Sequence, residues 1–313
     1  MTWKKPSEWT GRNDGPGSEN ARWHNTIQPV TDKAQPGIAL LGFASDEGVL
    51  RNLGRVGARE GAAALRAALS SVALHEPLAL YDAGDVEVDG HALEDGQEEF
   101  AEILSKLLSD GHFTVGLGGG HEITFASYSG LARALGESGD WSLGILNIDA
   151  HFDLRVANEA TSGTGFSQIA QAETAAGRTF RYAAVGISEA ANTKVLFDRA
   201  TALGVQVLLD TNCHLGNVDG VRRFVANFAD SVDHLYLTID LDALPASVAP
   251  GVSAPAGFGI AVEVVREVVV AAVESGKLRH ADIAELNPKF DIDQRTARTG
   301  ARLINDLIVH RGR

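Results

Sequence analysis

Leu143-Gly144-Ile145-Leu146-Asn147-Ile148-Asp149-Ala150-His151-Phe152-Asp153 begins as an apolar run and closes on three residues of metal-ligating type at alternate positions. An apolar run that ends so abruptly in charge reads as a strand covered on both faces, the kind that fills a parallel sheet. In an extended segment residues i, i+2 and i+4 point the same way, so Asp149, His151 and Asp153 converge. The carboxyl end of such a strand is where open α/β sheets build their sites. Alone, the triplet is also what an ordinary hydrogen-bonded strand end looks like, so neighbouring segments must decide.

Two further segments share the design. The run Leu235–Leu241 carries Asp240 and is followed at once by Asp242, two residues beyond the first. Buried carboxylates are costly unless paired or bound to a cation. The run Phe113–Leu117 is followed by Gly118-Gly119-Gly120-His121-Glu122, which delivers His121 at a strand-helix junction. A phosphate-cradling loop is the rival reading of those glycines. It fails because His121 stands where a dinucleotide loop needs glycine, and no Gly-Lys-Ser/Thr follows. His121, Asp149, His151, Asp153, Asp240 and Asp242 thus supply two imidazoles and four carboxylates. Such a mixed oxygen and nitrogen set suits two hard or borderline divalent ions, with Mn²⁺ the natural choice. Zinc sites usually hold fewer carboxylates.

Outward from these segments, short apolar runs alternate with helical patterns. Strands are expected at Ile38–Phe43, Leu78–Tyr81, Phe113–Leu117, Leu143–Asp149, Phe180–Gly186, Val205–Leu209, Leu235–Leu241 and His280–Leu286. Helices are expected at Ala58–Ser70, Gln97–Ser109, Glu122–Leu135, Val218–Phe228, Val262–Ser275 and Thr296–His310, among others. This alternation predicts an α/β fold with a parallel sheet covered on both faces. Residues 1–36 read as an irregular lead-in, and 37–313 as a single domain without a linker.

Charge narrows the partners. With 27 basic and 41 acidic residues the net charge is −14, which disfavours nucleic acid and anionic membranes. No apolar run is long enough to span a bilayer. The opening MTWKKPSEWTGRND has no signal-peptide core, so a cytoplasmic location is expected. Cys213, the single cysteine, rules out an internal disulfide and an all-thiolate zinc site. Scattered arginines along Arg295–Arg313 suit a solvated or subunit-contacting helix, which leaves a homo-oligomer open.

In order and separation, the three ligand segments resemble the signatures of the arginase/agmatinase (ureohydrolase) family. The similarity runs from about Gly37 to the end and includes Ala249-Pro250-Gly251 and Ala284-Glu285-Leu-Asn287-Pro288. It implies a three-layer α/β/α domain around a mostly parallel eight-stranded sheet. It also implies that His121 and Asp153 hold one ion and His151 and Asp242 the other, with Asp149 and Asp240 bridging. Glu285 then contacts the amidine or guanidine being hydrolysed, and Asp153 relays a proton to the departing amine.

Details favour the amidine-hydrolysing, formimidoylglutamase-like branch of that family. Arginases usually carry Asp and Ser where this chain has Gly120 and Glu122. The segments Asp46–Arg55, His151–Arg155, Ser162-Gly-Thr, Trp9–Asp14 and Arg22-Trp-His24 resemble that branch as well. Phe166 stands where arginases place a proton-shuttling histidine, which weakens an arginine-hydrolysing reading. The implied reaction converts N-formimidoyl-L-glutamate and water to L-glutamate and formamide. A dianionic small-molecule substrate needs cations, best as planar guanidinium forks. Arg155, Arg51 and Arg55 are the candidates, and Ser162 matches a serine that holds the substrate α-carboxylate in relatives. The competing readings are a guanidino-acid or agmatine hydrolase releasing urea, and a silent metal-binding protein.

Overall fold

A computed structural model describes residues 2–136 and 141–312, so Arg313 of the expected tail lies outside them. Eight parallel strands form the body of one sheet: β3 (Ile38–Ala44), β4 (Leu80–Glu87), β5 (Phe113–Leu117), β6 (Leu143–Ile148), β7 (Arg181–Ile187), β8 (Gln206–Leu209), β9 (His234–Asp240) and β10 (Leu278–Ala284). Their spatial order is β4-β3-β5-β10-β9-β6-β7-β8. From the centre, the chain winds outward one way through β3 and β4 and the other way through β6, β7 and β8. Ligands of open sheets bind where the connections diverge in this manner.

Among the described residues the sheet has ten strands, not eight. The expected irregular lead-in supplies β1 (Trp3–Lys4) and β2 (Gln28–Pro29), which pair with the outer edge of β4. Two-residue strands carry too little pattern to be seen in a sequence, yet they cover an edge that would otherwise expose unpaired backbone groups. The lead-in also buries Trp23 completely and stacks Trp9 on it at 6.2 Å. β4 runs well past the expected Tyr81. Its continuation Asp82-Ala-Gly-Asp85 looks unlike a buried strand until Arg66 is added. The Arg66 guanidinium meets Asp82 at 2.9 Å and Asp85 at 2.6 Å.

Helices cover both faces. On one, α3 (Gly61–Ser70), α8 (Val218–Asp230), α9 (Val262–Glu274) and α10 (Arg295–Arg311) bury Leu65, Val225, Val268 and Leu307 against the sheet. On the other, α4 (Leu93–Ser109), α5 (Ile123–Leu135), α6 (Gly165–Ala175) and α7 (Lys194–Ala202) bury Phe100, Leu131, Ile169 and Leu196. No helix among the described residues is long and apolar enough to cross a membrane.

Candidate metal centre and active site

Four adjacent central strands, β5, β10, β9 and β6, all point their carboxyl ends at one crevice. His121 follows β5, Glu285 follows β10, Asp240 and Asp242 come from the end of β9, and Asp149, His151 and Asp153 follow β6. The six expected ligands form two groups that share Asp149. His121, Asp149, Asp153 and Asp240 make one, and Asp149, His151 and Asp242 the other.

The convergence at Asp149–Asp153 arises differently from the expectation. β6 stops at Ile148, and Asp153 adopts a left-handed φ of 46°, so the segment turns instead of running on as a strand. The Asp149 carboxylate closes that turn, its Oδ1 accepting from the His151 backbone N–H at 2.7 Å. Asp240 repeats the device, accepting from the Asp242 N–H at 2.7 Å. Each aspartate then points its other oxygen at His121 Nδ1, at 3.2 Å in both cases. Asp153 Oδ2 comes to 2.9 Å of the same nitrogen. His151 Nδ1 lies 3.1 Å from Asp242 and 3.5 Å from Asp149 Oδ1. Asp149 therefore offers one oxygen to each imidazole, the arrangement a bridging carboxylate requires. Asp240 groups only with the His121 side.

The electrostatics demand cations. Burial drives the pKa of Asp153, Asp240 and Asp242 upward, with neighbouring carboxylates adding to the rise. Asp149 goes the other way: burial would raise its pKa, but His121 and His151 more than offset it. Among the described residues, Asp242 Oδ1 and Glu285 Oε2 find no hydrogen-bond partner, though both are buried. Leaving such atoms unsatisfied costs about 1–3 kcal/mol each. A donor set of four carboxylates and two imidazoles with orphaned oxygens fits two divalent ions well.

Beside this cluster is a cavity of about 300 Å³ lined by Asn52, Arg55, Arg155, Ser162, Asn192 and Glu285 together with the ligands. Glu285 has a left-handed φ of 68° and accepts the His121 backbone N–H at 2.8 Å. Burial, Glu122 and Asp242 push its pKa up to about 8. Arg155 is exposed at the mouth, its stem lying against Gly163. Ser162 lines the cavity and accepts from Asn52 Nδ2 at 3.2 Å. Arg55 reaches the cavity too, but its guanidinium donates to the Val252 and Ser253 carbonyls and covers the Phe290 ring at 4.0 Å. Arg51 is not brought to the site. Glu47, Glu94 and the carbonyls of His91 and Ala160 occupy its donors.

Asn52, Asn192 and Ser253 were not among the expected site residues. Asn192 braces the ligand turn, accepting from the Phe152 N–H and donating to the Ala150 carbonyl. Its place in the loop after β7, another strand carboxyl end, was the available signal. Phe166 is fully buried between His121 and Tyr182, at 5.8 Å and 4.3 Å between ring centroids, so it packs behind the ligand.

Gly120 and Glu122 prove to be one device. The Glu122 side chain folds back, accepting from Ser45 Oγ at 2.8 Å and the Gly48 N–H at 3.0 Å. It thereby ties the Asp46–Arg55 loop to the metal cluster. A Cβ on Gly120 would fall 2.0 Å from Glu122 Oε2 and 2.4 Å from Val49 Cγ2. Gly120→Asp alone should therefore cost about 1–3 kcal/mol through overpacking. Adding Glu122→Ser should recover part of it, read as coupling in denaturant unfolding. Simple additivity would contradict the account.

The chain belongs to the arginase family, whose model matches residues 36–310. It is 51% identical over 307 residues to a formimidoylglutamase of Rhodococcus opacus, covering 98% of this chain and 96% of that one. Among solved structures, the formimidoylglutamase of Bacillus subtilis superposes with a TM-score of 0.82 at 21% identity, over 93% of this chain and 91% of that one. A Trypanosoma cruzi formiminoglutamase carrying two Mn²⁺ gives a TM-score of 0.78 at 25% identity, over 88% and 93%.

Proposed function

We propose that this chain hydrolyses N-formimidoyl-L-glutamate to L-glutamate and formamide, with two Mn²⁺ ions held by His121, Asp149, His151, Asp153, Asp240 and Asp242. The observation that carries this reading is a paired His/Asp cluster beside a buried, half-satisfied glutamate, under a mouth that carries Arg155. The near-full-length likeness to formimidoylglutamases supports the choice of substrate. A small-molecule substrate fits the cavity volume, and a cytoplasmic location belongs to the same proposal.

When bound, such ions supply Lewis acidity, which lets water act as a nucleophile near neutral pH. Glu285 receives the amidinium N–H groups on its unpartnered oxygen, a charge-assisted contact. Water adds to the formimidoyl carbon, and Asp153 takes its proton and passes it to the glutamate nitrogen. The bond from carbon to that nitrogen breaks, releasing formamide. Arg155 and Ser162 hold substrate carboxylates and fix which end enters.

The deciding experiment offers Mn²⁺-loaded protein formimidoylglutamate, agmatine, guanidinobutyrate and arginine. Formamide and glutamate from the first substrate are expected; urea from any other would overturn the assignment. Within this reading, Arg155→Ala removes a contact worth about 1.5–3 kcal/mol. Its kcat/KM should drop roughly tenfold to a hundredfold. Most of the loss should appear in KM, since the contact is remote from the reacting carbon. An unchanged KM would shift carboxylate recognition to Arg55 and Asn52.

A further inference from the structure

Behind His121, a buried polar stripe crosses the sheet, with Asn147 of β6 beside Thr238. On β9, Tyr236, Thr238 and Asp240 share one side, and on β10 His280 and Asp282 lie beside Tyr236 and Thr238. On β5, Thr114 and Gly116 lie beside His280 and Asp282. Tyr236, Thr238, His280, Asp282 and Thr114 are all essentially fully buried. A Cβ on Gly116 would come within 2.8 Å of Asp282 Cβ, so the glycine makes room for the carboxylate. Burying this many polar groups is costly unless each finds a partner.

The hydrogens in the stripe can be traced. Asp282 Oδ2 accepts from Ser127 at 2.6 Å and from the Tyr236 hydroxyl at 2.5 Å. Ser127 has then spent its hydrogen, so it accepts from His280 Nε2 at 3.1 Å, and His280 Nδ1 accepts from Thr114 at 2.7 Å. Asp282 Oδ1 is left without a partner. On the remaining side, Thr238 Oγ1 is 2.9 Å from His121 Nε2. Burial works to raise the Asp282 pKa, but its hydrogen-bonding neighbours bring it below the usual value. The register sets Asp282 beside Thr238, so its unpartnered oxygen is positioned to receive the Thr238 hydroxyl hydrogen.

We propose that Asp282, acting through Thr238, fixes His121 in the tautomer that carries its hydrogen on Nε2, which leaves the Nδ1 lone pair for the ion held with Asp149, Asp153 and Asp240. Thr238 then accepts from Nε2–H and cannot donate to it. Both are positioning residues, since neither touches substrate or metal. Partners that orient a ligating imidazole in this way are typically worth 10- to 100-fold in metal affinity. The inference rests on the two-ion reading of the site. It predicts an asymmetry, because His151 is outside the stripe.

The test is calorimetric titration of the metal-free full chain with Mn²⁺, with low-temperature electron paramagnetic resonance to separate single ions from a coupled pair. Wild type should bind two ions. Thr238→Val, similar in shape but unable to accept, should weaken one ion by roughly tenfold to a hundredfold and leave the other unchanged. A spectrum of isolated Mn²⁺ should then persist where wild type already shows the coupled pair. Thr238→Ser should restore wild-type binding. Asp282→Asn should weaken the same single ion, and it serves as the second variant should Thr238→Val fold poorly. Equal affinities in wild type and the variants, or equal losses at both ions, would overturn the proposal while leaving the two-ion reading intact. Failure of wild type to bind two ions would overturn both.

Discussion

Asp149→Asn should leave a folded protein whose kcat has fallen by roughly a thousandfold or more, the loss of several kcal/mol of transition-state stabilisation. Asp149 alone faces both imidazoles, with Oδ2 near His121 and Oδ1 near His151. An amide keeps the shape but presents one oxygen and one N–H pair. Its N–H pair would face a centre built to attract cations. The Asn147 side chain, which donates to Asp149 Oδ2 at 3.0 Å, would oppose one amide orientation as well. Metal content and steady-state kinetics on formimidoylglutamate check this together. A near-normal kcat would remove Asp149 from the bridging role, and Asp240→Asn tests the other expected bridge, which the structure places on the His121 side alone.

Glu285→Gln should lower kcat/KM by about 2–5 kcal/mol, the usual cost of losing one member of a buried charge pair, which is roughly thirtyfold to a few thousandfold. Burial, Glu122 and Asp242 hold the Glu285 pKa up near 8, so this carboxylate is expensive to ionise in a pocket without cations. Only its ionised form can pair with an amidinium. Activity should therefore rise with pH on the acid side as Glu285 deprotonates. The limb lies at or below pH 8, because bound cations favour the charged form. In the Gln variant that limb should flatten. A pH profile of kcat/KM that keeps its acid limb after the substitution would assign the limb elsewhere.

Most of the centre was legible because chemistry repeats along the chain. An apolar strand that ends in carboxylates or histidine appears at Phe113–His121, Leu143–Asp153 and Leu235–Asp242, and the structure brings all three together. The path between ligands was not legible. Convergence at Asp153 depends on a left-handed residue, which no spacing rule announces. Arg51 and Arg155 look alike as arginines near glycine-rich loops. Only the acidic neighbours Glu47 and Glu94, one of them 43 residues away in sequence, show that Arg51 is already occupied. β1, β2 and the polar end of β4 escaped for the same reason, since their stability comes from partners remote in the chain.

Left-handed backbone at Asp153 and Glu285 has a consequence for how this protein would respond to selection. Such conformations cost about 1–3 kcal/mol for residues other than glycine, and here they coincide with crowded carboxylates. Glycine at either position would relieve both burdens. A library screened for heat resistance alone, without substrate or metal, should accumulate changes at these two codons early and return robust, inert proteins. The hydrolytic residues persist only while turnover itself is being rewarded.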